Sequence, residues 1–203
     1  YMIAVFLGTA ANGIYAVANK MPSLLSVFEN IFYQAWQTSS INALEDKDRD
    51  KFYSGVFKNY FSILTLGVLG LLLILKPLTI QLFAHDYESA WMCTAILVVA
   101  VMAHALGGNL GILYGTFKST KGALLTSIIG ACTNIILNFI FVRYLGIMAA
   151  ATTTLIGYIV VLLYRWWDVK KFVKLTISPL FVIFWLIIIV VQLALYFFSS
   201  IIC

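Results

Sequence analysis

The chain has 203 residues, of which 63% are apolar and 10% charged, with a mean hydropathy of +1.00. Soluble chains carry about 45–50% apolar and about 25% charged residues, so this composition describes a membrane protein and excludes a cytosolic enzyme or a DNA-binding module. The net charge is +5, and where the charges fall makes this a topology signal with no nucleic-acid partner implied.

A spanning helix needs about 20 apolar residues, because the hydrocarbon core is about 30 Å thick and each residue rises about 1.5 Å. In chain order, residues 1–8 read as the end of a helix that starts before Tyr1, so the chain is expected to be part of a longer protein. Gly8 and residues 11–13 predict a turn, and a long helix follows over 14–42. A charged loop covers 45–51, and the next apolar run, 59–75, lies between Lys58 and Lys76. His85, Asp86, Tyr87 and Glu88 predict a short outer loop, followed by a helix over 91–116. Two further runs are bounded by Lys121, Arg143 and Arg165, and an uncharged one starts at Pro179. The fold class expected is therefore all-α, a polytopic transmembrane helix bundle with six spans and one stub.

Lysine and arginine set the orientation. With the 43–58 loop in the cytoplasm, Lys47, Arg49, Lys51, Lys58, Lys118, Lys121, Arg165, Lys170, Lys171 and Lys174 fall on that side. Lys20, Lys76 and Arg143 remain for the other side, ten cations against three. Trp91, Trp166 and Trp167 fall at span ends, where amphipathic rings prefer to sit. Cys93, Cys132 and Cys203 have no short spacing and read as small hydrophobes, with neither a disulfide framework nor a metal site expected.

The helix over 14–42 carries the strongest pattern. At 100° per residue, Ser23, Ser26, Asn30, Gln34 and Gln37 share an arc of about 80°, joined by Asn19 if the helix runs on through Pro22. Leu25, Phe28, Phe32 and Trp36 take the other side. Unsatisfied amides facing lipid cost several kcal/mol, so this stripe faces either a hydrated cavity or neighbouring helices. Intramembrane charges are costly and point to function. Lys20 lies beside the stripe, where it either suits an anionic ligand or snorkels to the outer interface. Glu29 lies off it and reads as an ion-coupling site or as the buried partner of a basic residue elsewhere. Pro22 removes a backbone hydrogen bond and predicts a kink.

Ala103, Gly107, Gly111 and Gly115 recur every fourth residue and predict a close helix–helix packing face without chemistry. His104 beside them reads as a satisfied buried imidazole. Thr126, Gly130, Asn134 and Asn138 repeat the same spacing with polar side chains, forming either a second cavity wall or interhelical hydrogen bonds. No catalytic motif is present, whether HExxH, GxSxG, P-loop or CxxC, so no enzyme, cofactor or ATP-driven step is expected.

Four passages together resemble the polysaccharide flippases of the multidrug/oligosaccharidyl-lipid/polysaccharide exporter superfamily, in the O-antigen and capsule branch. They are Phe6-Leu7-Gly8 with residues 13–22; residues 32–37; residues 116–122; and residues 134–138 with 146–151. The resemblance spans residues 6 to about 165. It implies the second of two helix bundles over 1–166, a basic cytoplasmic linker over 167–178, and an additional transmembrane helix over 179–203. It also implies a multi-pass protein of the bacterial inner membrane that flips an undecaprenyl-diphosphate-linked oligosaccharide beside a polysaccharide polymerase and chain-length machinery. Asn19, Lys20, Gln34 and Gln37 match motif positions of that family. The rival expectations are a cation- or proton-coupled multidrug exporter, a membrane-embedded glycosyl- or acyltransferase, and a non-transporting subunit of polysaccharide assembly.

Overall fold

The computed structural model describes residues 2–82 and 90–202. The outer loop predicted at His85–Glu88, and Tyr1 and Cys203, lie outside the described residues. Seven α-helices follow one another with no strand among the described residues, an all-α polytopic bundle. They are α1 (Met2–Ala18), α2 (Pro22–Asn42), α3 (Arg49–Leu82), α4 (Ala90–Thr116), α5 (Thr120–Leu145), α6 (Ile147–Asp168) and α7 (Pro179–Ile202). Among the described residues five segments are long and apolar enough to cross a membrane: Arg49–Leu75, Ala90–Thr116, Thr120–Leu145, Ile147–Lys171 and Pro179–Phe198.

The sequence expectation of six spans needs one correction. The predicted 14–42 helix is divided at Pro22, which lacks the N–H that would bond Ala18 and so opens α2 at its first turn. The break is slight. Asn19 and Ser23 donate backbone N–H bonds to Tyr15 and Asn19, at 3.1 and 3.2 Å, and Met21 keeps φ −72° and ψ −46°. The α2 segment spans 21 residues, so its length suffices, and it drops out of the apolar set because of its amides and hydroxyls. The sharp bend is at Gly8, whose φ of 86° suits a residue without Cβ. Residues 11–13 are helical, so no turn forms there. The predicted charged loop is shorter than 45–51, because α3 begins at Arg49.

Helix α4 is the centre of the bundle. It packs on α6, α2 and α3, and 67% of its most apolar stretch is buried, against 11% for α7. Polar side chains fix the neighbours to it. The Trp36 indole donates to the Asn109 carbonyl at 3.1 Å, Ser40 and Thr116 share a hydrogen bond of 2.8 Å, and Tyr114 donates to Asp168 at 2.9 Å. On the α3 side, Tyr53 donates to the Ser40 carbonyl at 2.7 Å and Tyr60 stacks on Phe32 with ring centres 3.9 Å apart. Buried amide and hydroxyl groups in a membrane bundle add roughly 0.6–2 kcal/mol per contact. The segment between α6 and α7 is also anchored, with Val169 and Val173 buried and the Thr176 N–H bonded to the Ser54 hydroxyl at 3.0 Å. Gln192 then ties α7 to the Leu69 carbonyl of α3 at 2.8 Å.

Candidate functional site

The polar stripe of α2 lies on the surface of the bundle. Ser23, Asn30, Gln34 and Gln37 are exposed and Ser26 is half-buried, while Trp36 on the opposite side is buried against α4. The Ser23 hydroxyl bonds the Lys20 carbonyl at 2.5 Å. Among the described residues no side chain of this chain accepts or donates to the side-chain amides of Asn30, Gln34 or Gln37. Asn19 is half-buried and spends its amide on the Tyr15 carbonyl at 2.8 Å, and Lys20 is exposed.

A cavity of about 370 Å³ opens between α4, α5 and α6, a volume in the range of small-ligand sites. Its floor is the small-residue line of α4. Gly111 leaves room for Arg165 of α6, whose guanidinium would lie 2.5 Å from a Cβ at that position. Arg165 donates from Nε to the Thr126 hydroxyl at 3.1 Å and from one terminal nitrogen to the Gly107 carbonyl at 2.9 Å. A guanidinium carries five N–H donors, so these two bonds leave capacity directed at the cavity. Ser127, Asn134, Thr154 and Tyr158 complete the polar lining. Further along the groove, Tyr33 and Gln37 of α2 face Gly115 across a second opening of about 310 Å³.

A close contact between an imidazole and a carboxylate marks the other end. Nδ1 of His104 lies 2.9 Å from Oε1 of Glu29, with side-chain exposures of 52% and 12%. The His104 ring packs at 4.8 Å from that of Tyr158. Glu29 sits off the stripe because it turns inward to α4, where Gly108 gives it space; a Cβ there would be 3.4 Å from its carboxylate. A carboxylate at membrane depth is expensive unless paired, and His104 supplies the partner.

Two expectations change here. The α4 glycine line is more than a packing face. Gly107 does approach the α6 backbone, where an added Cβ would lie 3.8 Å from Leu162 Cα, but Gly111 and Gly115 floor the groove. His104 is half-exposed and lies within hydrogen-bond distance of Glu29, which corrects the expectation of a buried imidazole. On the α5 line, Asn134 meets both readings, cavity wall and interhelical hydrogen bond, and among the described residues Asn138 bonds only within its own helix. Asn134 lines the cavity and donates to Thr154 at 3.4 Å, whereas Asn138 is buried and donates to the Asn134 backbone and side-chain oxygens, both at 3.1 Å. The structure therefore gathers Glu29 and Asn134 with Arg165, His104 and Tyr158, places Gln37 in the neighbouring opening, and leaves Asn19, Lys20, Ser23, Ser26, Asn30 and Gln34 outside both linings. Arg165 counts in the sequence only as a cytoplasmic-side cation. The signal that could have found it is the paired glycine spacing on α4, which admits a long side chain from another helix.

The chain matches no protein-family model, no curated protein and no solved structure.

Proposed function

We propose that the chain forms part of a flippase that carries an undecaprenyl-diphosphate-linked oligosaccharide across the bacterial inner membrane for surface polysaccharide synthesis. One observation carries this reading: a polar cavity lined by Arg165 lies next to an opening lined by Gln37 of the amide-rich α2 face, with Gly111 between them. Amides and hydroxyls suit the hydroxyl groups of a sugar, and a guanidinium suits a diphosphate bidentately. The lipid tail stays in the bilayer while the head group travels along the groove, by alternating access. The membrane lipids and the assembly proteins named by the resemblance are the partners this reading expects.

The test uses the full-length protein in a bacterial host that lacks it. Arg165→Leu and Gln34→Leu are each expected to lower surface polysaccharide while membrane abundance stays level. Normal polysaccharide in both variants removes the reading.

The Glu29–His104 pair favours a second reading, a cation- or proton-coupled exporter of the same fold. Drug susceptibility of the same host separates the two: Glu29→Gln raises susceptibility and spares polysaccharide only if drugs are the cargo.

A further inference from the structure

A second cavity, about 460 Å³, lies on the other side of the α4–α6 seam, between α3, α4, α6 and α7. Its walls are apolar, built by Phe57, Phe61, Leu106, Leu162 and Trp166 with α7 alongside, and Lys170 is the one charged residue among its described lining. Leu163 and Ile183 at its rim are exposed. All the helices that form it belong to the spans apolar enough for the membrane, so hydrocarbon is the medium on its open side.

The groove has a polar end and an apolar end. Lys170 marks the polar end, with its Nζ 6.0 Å from the Trp166 ring centre. Lys58 follows the lining residue Phe57 on α3, its Nζ 5.2 Å from the ring centre of Phe181 on α7, which in turn lies 5.8 Å from the ring of the lining residue Phe61. Neither lysine has a carboxylate partner among the described residues, unlike Lys171, which pairs with Asp168. This is the end that carries the excess of cations by the positive-inside rule. From Lys170 the groove follows α6 back to Leu162, about 12 Å at 1.5 Å per residue, most of the depth of one leaflet. Two uncompensated cations above an apolar slot of that depth match the shape and sign of a lipid with a negative head group.

We propose that this groove binds one anionic phospholipid of the cytoplasmic leaflet. An acyl chain lies against Phe57, Phe61 and Leu162, Trp166 sits at the glycerol level, and the phosphate is held between Lys170 and Lys58. The site is independent of the transport reading, since it lies on the opposite side of the α4–α6 seam from the polar cavity.

Native mass spectrometry of the full chain, delipidated in mild detergent, tests it with dioleoylphosphatidylglycerol and dioleoylphosphatidylcholine as probes. The first phosphatidylglycerol is expected to be held at least about tenfold more tightly than phosphatidylcholine, since each lysine beside an anionic lipid contributes roughly fivefold. Lys170→Gln with Lys58→Gln brings the two lipids level, and Ile183→Trp, which fills the rim, weakens both. Lys47→Gln, the same charge change elsewhere on that side, leaves the preference intact. Equal retention of both lipids by the parent protein overturns the proposal, as does an unchanged preference in the double lysine variant or an equal loss in Lys47→Gln. The substituted positions are all exposed, and matching circular dichroism melting curves verify that the variants fold.

Discussion

The two cavities share the same two helices and differ in almost everything else. Gly107 of α4 and Val161 of α6 belong to the polar one, and their immediate neighbours Leu106 and Leu162 belong to the apolar one. A step of one residue turns a side chain by about 100° around a helix, so adjacent positions serve opposite sides of the seam. What differs is the material on each side. On one, glycines make space and Arg165, Asn134 and Tyr158 fill part of it with polar atoms; on the other, aromatic rings leave a slot that only hydrocarbon suits. In a bilayer, where lipid is as apolar as leucine, this assignment of polar atoms to one side of a seam determines where water and a polar cargo can go.

The largest test of that contrast is Arg165→Leu. It removes two charge-assisted hydrogen bonds, each of the kind worth about 1.5–3 kcal/mol, together with the cavity's positive charge. Polysaccharide export is expected to fall by at least about tenfold, as one such bond implies. Stability should change little, because the cost of burying a cation disappears with it. The unfolding temperature in detergent is expected to move by no more than about 4 °C, the shift of about 1 kcal/mol in a chain of this size. A much larger drop makes Arg165 a strut and erases the functional difference between the two sides.

Gly111→Ala sharpens the same point at smaller amplitude. The added methyl collides with the guanidinium, the far end of a flexible side chain, so Arg165 swings off the Gly107 carbonyl. Export is expected to drop several-fold with little loss of stability. Combined with Arg165→Leu, the second substitution should add nothing, since both act through one group. Full additivity, read from export rates of the single and double variants, places the effect of Gly111 elsewhere.

Much of this is legible from residues alone. The all-helical class, the polar stripe of α2 and the bend at Gly8 follow from hydropathy, angular spacing and a glycine, because a bilayer punishes any other arrangement; the helix ends do not, since α3 starts at Arg49, well before the apolar run at 59–75. Pairings between helices are not legible. Glu29 and His104 are 75 positions apart, Arg165 and Gly107 are 58 apart, and nothing in local spacing announces either contact. Lys20 shows how far spacing reaches: its angular position beside the stripe fits a cavity lysine or a snorkelling one, and the structure places it exposed, before the proline that opens α2. Periodicity gives the face of a helix and is silent about which helix it meets.

Asn134 and Asn138 separate function from scaffolding within one helix. Asn138 is buried and braces Asn134 through two bonds of 3.1 Å. Asn138→Leu should therefore cost about 1 kcal/mol of stability, the usual net worth of a buried hydrogen bond, and show as a lower unfolding temperature. Asn134→Leu should lower export more than it lowers that temperature, since its amide lines the cavity. Equal behaviour of the two variants in both measurements merges the α5 wall into packing alone.

The smallest effect belongs to Ser23→Ala. Its hydroxyl is exposed and bonds only the Lys20 carbonyl, one turn back along the chain. Exposed substitutions of this kind stay within about 0.5 kcal/mol, so neither unfolding temperature nor membrane abundance should move. Export is the informative readout. Gln34 and Gln37 lie three to four turns further along the same face, where no side chain among the described residues engages their amides, and Gln34→Leu takes away a group that a sugar can use. Ser23 lies in the first turn of α2 with its hydroxyl already engaged. If Ser23→Ala nonetheless reduces export as strongly as Gln34→Leu, the α2 face acts as one continuous wet surface from its first turn, and the distinction between its engaged and unengaged polar groups loses its meaning.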